Sequence, residues 1–171
     1  MPTNSTINLH HIVITANIFV RKDNKYLVLR RSPHKEVLPN LISPIGGKID
    51  HAEDPLMAAQ RELFEEAGVK VKNIRLEAVV TEVLSPDDSQ YKNNWLIFHF
   101  SGDWESGEAT TSDEGELLWM TEEELLQSPM FPSVKTVLPH ILNPDDSTVF
   151  ARFEYDKERN ITERHITITK K

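Results

Sequence analysis

The first hydrophobic segment of the chain is rich in β-branched side chains, which favour extended strands. It runs from Ile7 to Val20 and is followed by the turn-like sequence RKDNK and by a second apolar run, YLVLRR. Two such runs joined by a short polar turn are typical of a β-hairpin. The chain is therefore predicted to begin with two paired strands.

The next stretch, residues 34–54, has little hydrophobic periodicity and contains two prolines and a Gly-Gly pair. We predict a loop there, with a short extended piece from Leu41 to Ile45. Asp54 and Pro55 then have the properties of a helix N-cap and a first helical residue, and Gly68 has those of a C-terminal stop. A single helix is predicted between them.

More strands and helices follow. A capping box that begins at Thr121 and the apolar segment 133–142 predict two further helices, and Pro139 is expected to kink or end the second of them. Patterns typical of strands occupy residues 71–85, 94–104, 115–121, 148–156 and 161–169.

The last two of these strands form a second predicted hairpin. Every second residue of its first arm is apolar, so one face should be buried: Val149, Ala151, Phe153 and Tyr155. The order of elements predicts an α+β or α/β fold in which a mixed sheet lies between helices, an α-β-α sandwich. Because no internal repeat or linker interrupts the pattern, we predict a single domain over residues 1–171.

Composition and charge restrict the classes of partner. The 171 residues are 39% hydrophobic and 27% charged, which suits one domain with a substantial core. A net charge of −8 argues against a large nucleic-acid partner, which would require a basic surface. The chain has no cysteine, so we expect no disulfide and a cytoplasmic location. We find neither a signal peptide nor an apolar run of about 20 residues, so no membrane association is expected.

The predicted helix has one apolar face and one acidic face at a spacing of about 100° per residue. The apolar face is formed by Leu56, Ala59, Leu63 and Ala67, and the acidic face by Glu62, Glu65 and Glu66.

The acidic face is either solvated or part of a cation site. The acids lie near the negative end of the helix dipole, where they are locally unfavourable. The sequence PIGGKID, with a further acid at Glu53, precedes the helix and lets backbone and ligand approach closely. Mg²⁺ prefers oxygen ligands and usually binds one or two carboxylates together with substrate phosphates. This pattern favours a magnesium site.

The segment from Gly47 to Val69 resembles the signature of the Nudix hydrolases. That signature is Gly, five residues, Glu, seven residues, Arg-Glu, an aliphatic residue, any residue, Glu-Glu, any residue, Gly and an aliphatic residue. Its nine fixed positions are all met, by Gly47, Glu53, Arg61, Glu62, Leu63, Glu65, Glu66, Gly68 and Val69. The resemblance implies a mixed sheet between helices and hydrolysis of a nucleoside diphosphate linked to another moiety, with Mg²⁺ as cofactor and Mn²⁺ as a substitute.

The resemblance also implies roles for the acids. Glu65 and Glu66 would be metal ligands, and the carbonyl of Gly46 would complete the ligand shell. Glu62 would be either a third ligand or the base that takes a proton from the attacking water.

Two further signature residues would orient the metal ligands without binding the metal themselves. Arg61 and Glu53 would form a charge-assisted pair that orients them. A simple surface salt bridge is the alternative for Arg61.

Residues outside the signature are assigned to the substrate. Arg31 and Lys48 are favoured over Arg30 for binding phosphate, because cations must offset its charge. Many relatives use one more acid from a loop, and residues 110–120 offer Asp113, Glu114 and Glu116, which could equally be solvated.

The chain is most similar to MutT-like members of the family, including some bacterial 8-oxo-dGTP diphosphatases. The similarity rests on the GGKID loop and on the sequence FPSVKTVLPHIL that precedes FARFEYD. Several MutT-like proteins have Pro directly before the Gly pair, where this chain has Ile45. The resemblance therefore does not imply that this loop contacts the base of the nucleotide.

We therefore expect a small-molecule substrate, a nucleoside triphosphate, with an oxidised purine deoxynucleotide as a candidate. The products would be nucleoside monophosphate and pyrophosphate. Two alternatives remain: another Nudix activity, on a nucleotide sugar, a dinucleoside polyphosphate or an RNA 5′ end, and a non-catalytic nucleotide-binding regulator. The sequence does not indicate the oligomeric state.

Overall fold

The structure is a computed structural model that describes residues 12–34, 38–85, 93–109 and 115–170. Residues 7–11 of the predicted first strand and two predicted loop acids, Asp113 and Glu114, lie outside these ranges. The elements of the described residues are β1 (Ile12–Lys22), β2 (Lys25–Arg31), β3 (Ile42–Ser43), β4 (Ile45–Lys48), α1 (Pro55–Ala67), β5 (Lys70–Val83), β6 (Asn94–Ser106), β7 (Gly115–Thr121), α2 (Glu122–Gln127), α3 (Pro132–Leu142), β8 (Ser147–Tyr155) and β9 (Ile161–Lys170).

The strands of the described residues form one mixed sheet. Its main order is β3-β2-β1-β6-β5-β8-β9, with β4 paired to β1 and β7 paired to β2. The β1–β6 and β5–β8 pairs are parallel, and the other pairs are antiparallel. The predicted mixed sheet is therefore confirmed.

Alternation along β1 divides the core into two layers. Ile18 packs in a layer that contains Leu63 of α1, whereas its neighbour Phe19 packs in a layer that contains Leu125 of α2 and Leu138 of α3. Burying one such side chain contributes about 1.5–3 kcal/mol. The helices thus cover both faces of the sheet, which confirms the predicted sandwich.

The first hairpin forms as predicted, with a two-residue turn between β1 and β2. Asp23 and Asn24 have φ values of 49° and 60°. Positive φ at both central residues matches the right-handed twist of the paired strands, and Asp and Asn tolerate it better than most residues. In the terminal hairpin, the predicted face of β8 is buried: Val149, Ala151, Phe153 and Tyr155.

Helix α1 begins and ends where the sequence predicts. The side chain of Asp54 accepts hydrogen bonds from the backbone N–H groups of Leu56 and Met57, at 2.8 and 2.9 Å. Gly68 closes the helix with φ 65°, and its N–H bonds the carbonyl of Phe64. These interactions satisfy backbone groups that the helix itself leaves unpaired.

The prediction that Leu56 belongs to the buried face of α1 was wrong. Leu56 is 38% exposed, and Ala58 is buried in its place beside Ala59 and Leu63. A helix wheel gives the angular position of a residue but not whether the core extends beneath its turn. Leu56 lies in the first turn, at the end of the helix.

One other prediction needs correction. The Gly-Gly pair was expected in a loop, but it lies in β4, where Gly46 pairs with Asn17 and Gly47 with Ala16 of β1. Glycine disfavours a strand unless another group approaches closely, as happens at both of these glycines. Of the two outcomes expected at Pro139, a kink or an end of α3, the end does not occur, because the helix continues to Leu142.

The cap of α1 gives a prediction about stability. Replacing Asp54 with Ala should lower the free energy of unfolding by about 1 kcal/mol, because two N–H groups lose their acceptor. Replacing it with Asn should cost much less, because Asn also caps well. Urea unfolding of both variants measures the difference. Equal stability of the Ala and Asn variants would contradict the role of the cap.

Candidate active site

Two glycines of β4 allow other elements to approach this strand closely. Helix α1 approaches at Gly47, and strand β1 approaches at Gly46. A Cβ atom on Gly47 would lie 2.4 Å from Oε1 of Glu62, and one on Gly46 would lie 2.2 Å from the carbonyl oxygen of Ala16. Neither distance is sterically possible without a shift. The carboxylate of Glu62 therefore occupies the space that a side chain at Gly47 would need.

The guanidinium of Arg61 connects the start of α1, its later turns and β4. Its Nε and Nη2 donate to the two oxygens of Glu53 at 2.7 and 2.9 Å, which is the predicted pair. Its Nη1 donates to Glu62 at 2.9 Å and to Glu65 at 3.1 Å. A further bond from Nη2 reaches the carbonyl of Lys48 at 3.2 Å. A bidentate pair within such a network is stronger than an isolated surface salt bridge.

This network shifts the pKa values of its members. Hydrogen bonds from Arg61, and then from the backbone N–H of Asp50, lower the pKa of Glu53. Bonds to Glu53, and then to Glu62 and Glu65, raise the pKa of Arg61. Both shifts favour the charged forms, so Arg61 remains a cation that holds carboxylates of α1 in place.

A cleft of about 390 Å³ opens beside this network. The charged part of its lining includes Glu62, Glu66, Arg31 and Lys48, next to Gly46 and Gly47. The apolar part includes Leu84, Trp95, Ile97, Phe131 and Val134. The cleft therefore presents charged groups and an apolar wall to the same ligand.

Strand order separates the two parts of the cleft. In the charged part, Lys48 lies on β4, whereas Trp95 of the apolar part lies on β6 and Glu82 lies on β5, beyond β1. Adjacent strands are about 4.8 Å apart, so β4 and β5 are separated by roughly 14 Å. That span suits an extended nucleotide rather than a free phosphate.

Four predicted site residues are absent from the cleft lining: Glu53, Arg61 and Glu65, which form the network beside it, and Glu116. The side chain of Glu65 is 59% exposed, bonds Arg61 and is absent from the cleft lining. Glu116 is also absent from that lining, and it accepts a hydrogen bond from Arg30 at 2.8 Å across the β2–β7 pair. Their roles in metal and substrate binding stay predictions.

The oxygen donors of the cleft fit a small divalent cation that arrives with phosphates. Within the described ranges, no group of three or more His, Asp and Glu side chains is arranged to hold a metal ion. Glu62 and Glu66 nevertheless line the same cleft, and Oε2 of Glu66 is buried there. Two carboxylates together with substrate phosphates are a usual ligand set for Mg²⁺.

The sequence analysis did not identify Glu82, an acid that lies in the apolar part of the cleft. Glu82 of β5 lines the cleft, is only 5% exposed and accepts a hydrogen bond from the hydroxyl of Ser133. Burial raises the pKa of Glu82 to about 7. One signal was present: Glu82 occupies the position between Val80 and Leu84 where the alternation of the strand requires a buried residue.

Comparison with known families identifies the family of the chain. Residues 11–141 match the model of the NUDIX domain. The chain belongs to the Nudix family. It is therefore a Nudix pyrophosphohydrolase, and its matched region includes the signature, α1 and most of the cleft. Members of this family typically use a divalent metal. No helix within the described ranges has the length and apolarity needed to cross a membrane.

The curated relatives of this Nudix protein include an uncharacterized hydrolase and a hydrolase of NAD-capped RNA. The chain is 28% identical over 127 residues to the uncharacterized Nudix hydrolase YvcI of Bacillus subtilis, a match that covers 74% of this chain and 77% of that protein. It is also 28% identical over 142 residues to the NAD-capped RNA hydrolase NudC of Salmonella typhi. That second match covers 81% of this chain but only 49% of NudC, so the chain spans about half of that relative.

Solved structures with this fold include MutT proteins. The crystal structure of a MutT protein from Bacillus halodurans superposes with a TM-score of 0.78 at 26% identity, over 90% of this chain and 97% of that one. A MutT protein from Methanosarcina mazei gives a TM-score of 0.64 at 20% identity, over 80% and 98% of the two chains, which supports the fold alone.

The pair of Arg61 with Glu53 predicts a pH-dependent contribution to stability. Because Arg61 lowers the pKa of Glu53, the pair stabilises the fold above the unfolded-state pKa of glutamate, about 4.3, and loses this effect as pH falls through the lower folded-state value. Replacing Arg61 with Gln should lower the melting temperature at pH 7 and have a smaller effect below about pH 4.

Thermal unfolding of both proteins from pH 3 to 8 measures this difference. Lys157→Gln is the control, because it removes a cation from an exposed pair with Glu158 and should change little at any pH. A melting-temperature difference for Arg61→Gln that does not vary with pH would contradict the assignment.

Proposed function

We propose that this Nudix protein hydrolyses a nucleoside triphosphate, with Mg²⁺, to nucleoside monophosphate and pyrophosphate. The observation that supports the proposal is the single cleft in which Glu62 and Glu66 face one part of a ligand and an apolar wall faces the other. The similarity to MutT structures supports the same substrate class. An oxidised purine deoxynucleotide is a candidate substrate.

The proposal assigns each residue of the charged part a role. Glu62, Glu66 and the carbonyl of Gly46 would hold the metal, and Glu65 would join them if its carboxylate turned from Arg61 toward the cleft. A bound Mg²⁺ or Mn²⁺ would neutralise charge on the pyrophosphate and make water a better nucleophile. Glu62 is also our candidate for the base that takes the proton of that water.

The remaining site residues position these groups or contact the substrate. Arg61 and Glu53 hold the carboxylates of α1 in a fixed orientation. Arg31 and Lys48 line the cleft and would contact phosphate oxygens of the substrate. Glu116, paired with Arg30 outside the cleft lining, approaches the substrate only if that pair opens.

A second candidate is hydrolysis of a nucleotide joined to a larger group. The similarity to a NAD-capped RNA hydrolase favours a dinucleotide or an RNA 5′ end, and nucleotide sugars and dinucleoside polyphosphates have the same diphosphate. A non-catalytic regulator is the third possibility, which the complete set of signature acids disfavours. A cytoplasmic location belongs to the same proposal.

Product analysis in ¹⁸O-labelled water tests the proposed function. The protein is incubated with Mg²⁺ and a panel of nucleoside triphosphates, oxidised purine nucleotides, NAD, nucleotide sugars and dinucleoside polyphosphates. We expect monophosphate and pyrophosphate from a triphosphate, with label in one of the two products. Label in the monophosphate means attack at the α-phosphorus, and label in pyrophosphate means attack at the β-phosphorus. A diphosphate plus orthophosphate, or turnover of the other classes alone, would overturn the proposal.

Replacing Glu66 with Gln should reduce turnover by at least about a hundredfold, because the amide is a neutral and weaker metal ligand. The exposed Glu158 supplies the matched control, Glu158→Gln, which should retain wild-type turnover. Steady-state assays at saturating Mg²⁺ measure both. Near-native turnover of Glu66→Gln would remove Glu66 from the metal site.

Replacing Gly47 with Ala should reduce kcat at least about tenfold, because the added methyl must displace the carboxylate of Glu62 and misplacement by about 1 Å costs catalysis heavily. The control is Gly102→Ala in β6, where the nearest atom to an added Cβ lies 3.3 Å away. Equal kcat in the two variants would show that the contact with Glu62 does not govern catalysis.

A further inference from the structure

Glu82 is a buried acid that the proposed reaction does not use. It lies near the end of β5, where it pairs with Trp95 of β6 on one side and Phe153 of β8 on the other. Its side chain has the orientation of Val80 and Leu84, toward the layer that contains α3. The carboxylate therefore lies in a largely apolar layer, in which the hydroxyl of Ser133 is its bonded polar neighbour.

The bonding of Glu82 is incomplete within the described part of the chain. Its Oε1 accepts a hydrogen bond from the hydroxyl of Ser133, a fully buried residue of α3. Its Oε2 receives no hydrogen bond from the described residues, and no Lys, Arg or His among them forms an ion pair with Glu82. An ionised carboxylate accepts several hydrogen bonds, so Glu82 retains capacity for a ligand.

Burial of this acid is costly for the free protein. Burial raises the pKa of Glu82 to about 7. The pKa of Tyr155 nearby is raised by burial and, to a smaller extent, by the charge of Glu82. A glutamine or an apolar residue would fill the position without this cost. The single hydrogen bond from Ser133 offsets little of this free-energy cost. Ligand binding is therefore the better explanation for a carboxylate at this position.

The position of Glu82 in the cleft restricts what that ligand is. Glu82 lies on β5 and the metal-site acids lie beside β4, with β1 and β6 between them. A nucleotide whose phosphates lie at Glu62 and Glu66 would place its base beside Glu82, between the apolar side chains of Trp95 and Phe131.

From this geometry we infer that Glu82 reads the nucleobase, by accepting two hydrogen bonds from a guanine-type edge that presents a ring N–H next to an exocyclic amino group. The inference rests on the proposed function, which places the phosphates at the opposite part of the cleft. Two parallel N–H to carboxylate bonds give both affinity and geometric selection.

The other common bases fit the ionised carboxylate, which only accepts hydrogen bonds, less well. Adenine and cytosine place a ring acceptor beside the amino group, which opposes a carboxylate oxygen. Uracil and thymine place carbonyls on both sides of their ring N–H. Hypoxanthine retains the ring N–H but lacks the amino group, so it isolates one of the two proposed bonds.

Binding of non-hydrolysable nucleotides tests the inference without catalysis. The α,β-methylene analogues of guanosine, inosine and adenosine triphosphate are titrated calorimetrically into the full chain with Mg²⁺. We expect the guanosine analogue to bind at least about tenfold more tightly than the other two, since a hydrogen bond to a charged group contributes a factor of about 10 to 100.

Two variants locate the preference. Glu82→Gln should weaken the guanosine analogue selectively and bring the three dissociation constants within about threefold. The matched control is Glu77→Gln, because Glu77 is a fully buried acid of the same strand that bonds Ser101 and does not line the cleft. The control should retain the wild-type preference.

Three results would overturn the inference: no preference of the wild-type protein for guanosine over inosine, an unchanged preference in Glu82→Gln, or equal weakening of all three analogues by that variant. The first decides the question even if Glu82→Gln does not fold. Hydrolysis of all parent triphosphates without base preference would remove only this inference. A guanosine preference without release of monophosphate from any triphosphate would instead remove the proposed function.

Discussion

The close approach of helix α1 to strand β4 at Gly47 is the constraint on which the site depends. It places the carboxylate of Glu62 where a side chain of the strand would otherwise be. Arg61 then holds Glu62 together with Glu53 and the carbonyl of Lys48, so helix, loop and strand have fixed relative positions. The acids of α1 are unfavourable for the helix alone, and this cation compensates for them.

The architecture of the sheet extends this local constraint into a cleft. Parallel pairing of β1 with β6, and antiparallel pairing of β6 with β5, carries the surface away from the charged part toward Trp95 and Glu82. Helix α3 covers the far side through Phe131, at its N-cap, and Val134. The polar and the ring-containing parts of one ligand can therefore lie along one continuous surface. Binding of a nucleotide requires such a surface.

Local signals in the sequence predicted what local interactions determine. Asp54 and Gly68 bracket α1 because caps act within one turn, and the signature spacing identified Glu53 and Arg61 as partners. Features that depend on register or on distant packing could not be read in the same way. The glycine pair was expected in a loop, since only its pairing with Asn17 and Ala16 reveals a strand. Likewise, the alternation of β5 indicates that Glu82 is buried, but its position in the cleft is seen only once α3 is in place.

We propose that a divalent cation binds between the acids of α1 in the presence of a nucleotide. The most direct measurement is the anomalous difference map of a crystal grown with Mn²⁺ and an α,β-methylene nucleoside triphosphate. We expect a Mn²⁺ peak within about 2.2 Å of carboxylate oxygens of both Glu62 and Glu66, with the phosphates as further ligands. A peak bound only by other residues, or a nucleotide seated outside this cleft, would contradict it.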